Sequence, residues 1–186
     1  MNFQTGIYDA RTLRRNSTSG NLEYSIDGSN FSDDLDSATP GVQSLAALAV
    51  TSIDVDMNGG DDTLIIDFAT GGEFAPSSGM TCDGRPLGND TLQVIGNGSA
   101  VGIYRPSATT NGNGQIKLFT SQRTTQVDFI DLEPVEVSGM SQLPHLLASW
   151  YFEQMHGLEC RRTAVNRFSK PLFKSKICSA GCQWNR

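Results

Sequence analysis

Residues 60–68 read GDDTLIIDF, and residues 88–95 read GNDTLQVI, 28 positions further along the chain. In both copies a Gly-Asp turn is followed by apolar side chains at every second position. A period of two residues is typical of a β-strand with one buried face. A short extended segment precedes each copy, at residues 52–56 and 80–84. The repeated unit is therefore predicted to be a strand, a Gly-Asp turn and a second strand.

The same alternation continues through residues 16–139, where short apolar runs are separated by Gly, Asn, Asp and Pro. The runs lie at residues 22–26, 53–57, 64–66, 92–94, 101–103, 116–118, 127–129 and 135–137. Residues 42–50 differ, and they fit either a helical turn or a buried strand. The pattern predicts an all-β fold of short strands stacked as a β-solenoid, with a β-sandwich as the alternative.

Charge divides the 186-residue chain into two parts. Residues 1–140 carry seven Lys and Arg against 18 Asp and Glu, a net charge of −11. Residues 141–186 have a net charge of +5 and hold both His, both Trp and three of the four Cys. We expect a flexible N-terminal segment (1–15), an acidic β module (16–139), an amphipathic helix (140–157) and a poorly ordered basic tail (158–186).

The composition of residues 1–140 excludes several functional classes. The absence of His rules out a Ser–His–Asp or Cys–His catalytic site within this part alone. Its acidity and its single lysine, Lys117, argue against nucleic acid as a partner. The chain has no apolar run of about 18 residues, so membrane insertion is not predicted, and residues 1–6 do not have the pattern of a signal peptide.

The predicted helix rests on spacing. Leu143, Leu146, Leu147, Trp150 and Tyr151 lie at i, i+3, i+4, i+7 and i+8, which places them on one helical face. The following residues are basic and lack any periodicity. This abrupt change at residue 140 has two interpretations, a genuine basic tail or a reading frame that departs from the ancestral module.

The tail also contains a candidate zinc set. His156, Cys160, Cys178 and Cys182 supply one imidazole and three thiolates, the donors that tetrahedral zinc accepts. Their spacings do not match the common pairs of zinc sites. We therefore favour a chance grouping over a zinc site, and in an oxidising compartment a Cys178–Cys182 or Cys160–Cys182 disulfide is an alternative equal to zinc.

The repeated turn resembles the Gly-Gly-x-Gly-x-Asp-x-Leu-x turn of haemolysin-type calcium repeats. Asp62 and Asp90 occupy its Asp position, so Asp61, Asp62 and Asp90 are the candidate ligands for Ca²⁺, which prefers several oxygen ligands. Other residues replace the first two glycines in both copies, and the spacing is 28 residues instead of nine. The favoured interpretation is that Asp caps a tight turn while Leu enters the core.

A wider resemblance rests on four segments, at residues 61–68, 79–84, 88–92 and 127–135. In this order they resemble β-rich modules repeated inside very large secreted or surface proteins of environmental bacteria. The resemblance covers roughly residues 16–139. It implies an extracellular or cell-surface location and a spacer, scaffold or adhesive role, and it brings no catalytic residues.

Three functions are compatible with these observations. The favoured one is a non-enzymatic structural or adhesive β module, part of a larger extracellular protein, whose partners are neighbouring modules or cell-surface glycans. The second is a calcium-binding module. The third is a carbohydrate-active enzyme on a β-helix, because Asp131 and Glu133 lie at i and i+2 of a predicted strand and would share a face.

Overall fold

The computed structural model of the chain describes residues 2–4, 10–35, 40–85 and 88–144. These residues form eleven β-strands and one short 3-10 helix, Ala47–Ala49. The strands are β1 (Asn2–Gln4), β2 (Ala10–Arg15), β3 (Leu22–Ser25), β4 (Ile53–Asp56), β5 (Thr63–Asp67), β6 (Met80–Asp83), β7 (Thr91–Ile95), β8 (Val101–Pro106), β9 (Gly114–Phe119), β10 (Thr124–Ile130) and β11 (Val135–Ser138). The all-β prediction is confirmed for this part of the chain.

The strands form two mixed sheets. The six-stranded sheet has the order β1-β4-β6-β10-β9-β8, and the five-stranded sheet has the order β11-β7-β5-β2-β3. Pairing is parallel along β1-β4-β6-β10 and along β2-β5-β7-β11. The remaining pairs are antiparallel: β3 pairs with β2 in the five-stranded sheet, and β9 pairs with β10 and β8 in the six-stranded sheet. The chain passes from the six-stranded to the five-stranded sheet at β1–β2, β4–β5, β6–β7 and β10–β11, and it returns at β3–β4, β5–β6 and β7–β8.

The sequence repeat corresponds to strands that pair with each other. Ile53 on β4 lies opposite Met80 on β6, and Leu64 on β5 lies opposite Leu92 on β7. Equivalent residues of the two copies are thus direct neighbours in both sheets. The extended segments expected at residues 52–56 and 80–84 are confirmed as β4 and β6.

One hydrophobic core is shared by the two sheets. Burial alternates along β5, β7 and β10, as the period of two residues predicts. The largest side chains of this core include Phe68, Phe74, Leu22, Ile53, Met57 and Ile66. The rings of Phe68 and Phe74 pack with their centroids 4.9 Å apart. Full burial of one such side chain contributes about 1.5–3 kcal/mol to stability.

The N-terminal segment differs from the expectation. Residues 10–15 were expected to be flexible, but they form β2, an inner strand between β5 and β3. Thr12 and Leu13 are buried there, and the backbone pairs with strands on both sides. The sequence ARTLRR lacks the alternating apolar residues that identify the other strands. Pairing with β3 and β5 makes these residues a strand, and this pairing is not visible in the local sequence.

The start of the predicted helix also differs. Residues 140–144 continue along β8: the Ser141 N–H donates to the Ala100 carbonyl oxygen, and the Gly102 N–H donates to the Gln142 carbonyl oxygen. Parallel pairing of Gln142 with Val101 is extended backbone, not helix. The rest of the predicted helix, the basic tail and the candidate zinc set lie outside the described residues. Within the described ranges, no helix has the length and apolar character needed to cross a bilayer.

Candidate functional site

The two Gly-Asp turns lie directly against each other, and we call residues 60–62 and 88–90 the stacked turns. The Asp62 N–H donates to Asp90 Oδ1 at 2.8 Å. The Asn89 N–H donates to Asp61 Oδ1 at 2.9 Å, so hydrogen bonds to carboxylates run in both directions between the copies. The Thr91 N–H donates to the Asp62 carbonyl oxygen at 2.8 Å. These carboxylates therefore satisfy backbone donors that β-pairing leaves open.

Close approach of the two backbones requires glycine at residue 88. Gly88 has a φ of +143°, and a Cβ at this position would overlap the carbonyl oxygen of Gly60. Only glycine combines this backbone conformation with the absence of a side chain. The Gly-Asp pair is thus explained by the stacking itself.

Burial differs among the three predicted calcium ligands. Asp62 and Asp90 are each only 1% exposed, whereas Asp61 lies on the surface. Burial raises the pKa of Asp90, although the hydrogen bond from the Asp62 N–H acts in the opposite direction. The charges of Asp62 and Asp61 raise this pKa further. Asp90 Oδ2 is buried and has no hydrogen-bond partner among the described residues.

The stacked turns bring Asp61, Asp62 and Asp90 to one corner, but these residues do not fit a calcium ion as they stand. Ca²⁺ takes six to eight oxygen ligands. Asp61 Oδ1 and Asp90 Oδ1 already accept backbone N–H groups. Nowhere in the described residues are three or more His, Cys, Asp or Glu arranged to hold a metal ion.

A second contact joins the two copies where β4 and β6 end. The Arg85 guanidinium donates to both carboxylate oxygens of Asp56, with Nε–Oδ1 at 3.1 Å and Nη2–Oδ2 at 2.6 Å. It also lies 3.5 Å from a carboxylate oxygen of Asp83. Hydrogen bonding to Arg85 lowers the pKa of Asp56. Because Arg85 is exposed, the ion pair contributes modestly to stability.

The paired carboxylates proposed for glycan hydrolysis do not share a strand. Asp131 and Glu133 both lie in the exposed loop between β10 and β11. Asp131 has a φ of +51°, which is a turn conformation and not extended backbone. The i, i+2 argument therefore fails, because alternation of faces holds only along a strand.

Cys82 lies on β6 and is fully buried. Burial raises the pKa of this thiol to about 12. Since the thiolate is the reactive form of cysteine, Cys82 is part of the core and not a nucleophile.

The structure reveals a polar cavity that the sequence did not predict. It has a volume of about 280 Å³. Its walls come from the end of β2, the segment after β5, the β7–β8 loop and the β9–β10 turn. The side chains that define this polar cavity are Arg15, Glu73, Asn97, Ser99, Gln122 and Arg123. Because these residues are far apart in sequence, no local motif identifies them.

The charged groups of the polar cavity are incompletely paired. Both carboxylate oxygens of Glu73 are buried without a hydrogen-bond partner among the described residues, and so is Nε of Arg15. Arg15 Nη1 makes a long contact of 3.5 Å with the Gly71 carbonyl oxygen. Burial raises the pKa of Glu73, while the nearby charge of Arg123 lowers it. These unpaired atoms are buried in the wall and do not face the open space of the cavity.

Comparison with known proteins adds no relative to this description. No family model, no curated protein and no solved structure matches the chain.

Proposed function

We propose that the chain is a non-enzymatic structural or adhesive β module that works as part of a larger extracellular or cell-surface protein. Within this proposal the module is a β-solenoid, in which β1–β2, β4–β5, β6–β7 and β10–β11 are successive rungs. Support comes from the parallel pairing of equivalent strands and from the repeated passage between the two sheets. The resemblance to repeated surface modules gives the same function.

The observation that carries the proposal is the use of the repeat's polar residues. Asp61 and Asp90 accept backbone N–H groups of the opposite turn, and Gly88 permits the contact. A catalytic role for these carboxylates would require that they be directed at a cleft. The Gly-Asp motif therefore serves stacking, which is the need of a scaffold built from repeats.

Neighbouring modules are the proposed partners because the sheets have open edges. Among the described residues, β11 pairs only with β7, so its other edge presents unpaired backbone groups. An edge strand of this kind can accept a strand from another chain or module. Stacking would extend the five-stranded sheet in the direction already taken by β5, β7 and β11.

Calcium binding is the second candidate, and one observation favours it. Asp90 Oδ2 is buried beside two other carboxylates and has no hydrogen-bond partner among the described residues. A cation would relieve the cost of that unpaired oxygen. The hydrogen bonds that Asp61 and Asp90 accept from the opposite turns favour stacking over calcium binding.

Two measurements on native material test the proposed function. Protease treatment of intact cells of the source organism should release peptides from residues 10–144. Peptides that are found only after lysis would contradict an extracellular or surface location. Incubation of the purified chain with neutral and acidic polysaccharides should produce no new reducing or unsaturated ends, and their appearance would show an enzyme.

A further inference from the structure

The hydrophobic core is less well covered at the end formed by β11 than in its middle. On β11, Val135 and Val137 lie opposite Leu92 and Val94 of β7. Leu92 and Val94 are fully buried, whereas Val135 and Val137 are only half-buried. The difference arises because β11 is the last strand of the five-stranded sheet in the part of the chain that the structure describes, so no further strand covers these side chains.

Two further half-buried side chains pack against the core at this end. Burial raises the pKa of Tyr104 on β8, and so does the charge of Glu133, which places Tyr104 near the start of β11. Leu143 lies against Gly102, where an added Cβ would be 2.8 Å from Leu143 Cδ1. We call the four partly buried side chains the open end: Tyr104, Val135, Val137 and Leu143.

The chain leaves the described residues next to the open end. Gln142 pairs in parallel with Val101 of β8, and the Gly102 N–H donates to the Gln142 carbonyl oxygen at 2.8 Å. Pro144 is the last described residue. An extended chain spans at most about 3.5 Å per residue, so residue 147 lies within roughly 11 Å of Pro144. The residues after Pro144 therefore start within reach of the open end.

The sequence after Pro144 supplies apolar side chains that can cover this surface. Leu146, Leu147, Trp150 and Tyr151 lie at i, i+1, i+4 and i+5, which places them on one face of the predicted helix. Trp and Tyr each bury about 150–250 Å² of surface when they pack, and removal of apolar area from water is favourable. The open end and this apolar face both lose contact with water if they pack together.

Charge favours the same contact. Asp131, Glu133 and Glu136 are exposed carboxylates on β11 and in the loop before it. Residues 158–186 carry seven Lys and Arg against one Glu. Opposite charges attract each other over about 10 Å at ordinary salt concentrations. The basic residues therefore favour a position of the C-terminal segment beside the end of the β module that contains β11.

We infer that residues 146–151 of this same chain cover the open end, with the apolar side chains of the segment packed on Tyr104, Val135, Val137 and Leu143. A neighbouring module that stacks on β11 would have to displace this segment, so the contact limits stacking by the isolated chain. The inference goes beyond the proposed function. Its failure would leave the stacked turns and the scaffold role intact, because neither depends on the residues after 144.

Fluorescence of Trp150 in the full chain tests the inference. The two tryptophans of the chain are Trp150 and Trp184, so Trp184→Phe leaves Trp150 as the single reporter, and all further variants carry this change. In the folded protein we expect Trp150 to emit at a shorter wavelength than in urea. We also expect its quenching by acrylamide to be roughly three-fold weaker than in urea, because packing on the open end excludes water and quencher.

Variants of the open end then assign the contact. Val137→Asp places a charge there and should release Trp150, with emission at longer wavelength and acrylamide quenching raised about three-fold, to the level in urea. Val42→Asp is the matched control and should leave the fluorescence unchanged, because it makes the same change at a side chain that is 68% exposed and precedes the 3-10 helix. Val137→Ser is a milder change that should raise the quenching in the same direction, and circular dichroism checks that each variant is folded.

Several results would overturn the inference. Equal emission and quenching in the folded and unfolded chain would show that Trp150 does not cover the open end. Quenching that neither Val137→Asp nor Val137→Ser raises, in variants that remain folded, would place Trp150 on another surface. An equal rise in Val42→Asp would point to a general charge effect. Emission that shifts with protein concentration, together with a dimer in sedimentation, would show that a second copy covers the open end.

Discussion

The stacked turns and the polar cavity both contain acidic side chains, but they satisfy them differently. In the stacked turns, Asp61 and Asp90 accept N–H groups from the backbone of the opposite turn. In the polar cavity, both oxygens of Glu73 lack a partner among the described residues. Asp61 and Asp90 thus each have one oxygen that holds the two copies together, although Asp90 Oδ2 is unpaired, whereas the Glu73 carboxylate makes no such bond within the described residues.

The largest expected effect comes from the closest contact in the stacked turns. Gly88→Ala places a Cβ against the Gly60 carbonyl oxygen, so we expect a loss of roughly 3 kcal/mol or more in the free energy of unfolding. Urea unfolding measures this loss. Gly98→Ala is the control, because Gly98 has a φ of +84° but open space around it. That variant should lose only about 1–2 kcal/mol, and equal losses would contradict the role of the close approach.

An intermediate effect is expected at Asp90. Asp90→Ala removes the acceptor of the Asp62 N–H and should cost about 1–3 kcal/mol of stability. Asp90→Asn keeps an oxygen acceptor and removes the buried charge, so its loss should be smaller. If both variants unfold at the same urea concentration, the hydrogen bond between the turns is not what Asp90 contributes.

The stability difference between the native protein and Asp90→Asn should depend on pH. Burial raises the pKa of Asp90, so the folded protein binds this proton more tightly than the unfolded protein does. The cost of the buried charge is present at neutral pH and is relieved as the pH falls through the folded pKa towards the ordinary value of 3.8. Relative to Asp90→Asn, the native chain should therefore gain stability on acidification. A difference that stays constant between neutral pH and that range would contradict the burial of this charge.

The smallest effect on stability is expected in the polar cavity. Arg123→Gln removes the guanidinium but leaves the two hydrogen bonds between the Arg123 backbone and Thr120 in place. We expect a change within about 0.5 kcal/mol, the usual range for surface substitutions. A loss as large as that of Asp90→Ala would remove the distinction between the two regions.

Periodicity identified most of the fold. The strands β4 to β7 follow from alternation of apolar residues and from Gly and Asp in the turns, which are local properties of the sequence. Residues 10–15 were missed because ARTLRR becomes a strand only through its neighbours β3 and β5. Asp131 was misplaced because its turn conformation is set by the loop between β10 and β11.

The functional residues were harder to predict. The repeat singles out Asp61, Asp62 and Asp90 as candidate calcium ligands, and the structure places them in two turns that contact each other. Their hydrogen bonds to the backbone could not be seen in the sequence. The polar cavity depends on residues as distant as Arg15, Glu73 and Arg123, which come from β2, the segment after β5 and the β9–β10 turn and meet only in the folded chain.

Calorimetric melting of the full chain, with a chelator and with millimolar Ca²⁺, is the most direct test of the claim that the Gly-Asp repeat stacks strands without a metal ion. We predict coincident melting temperatures, because Asp61 and Asp90 already accept backbone N–H groups. A ligand at a hundred times its dissociation constant stabilises the folded state by about 2.7 kcal/mol. For a chain of this size that corresponds to a rise of roughly 5–10 °C. Such a rise would contradict the account and would favour the calcium-binding module.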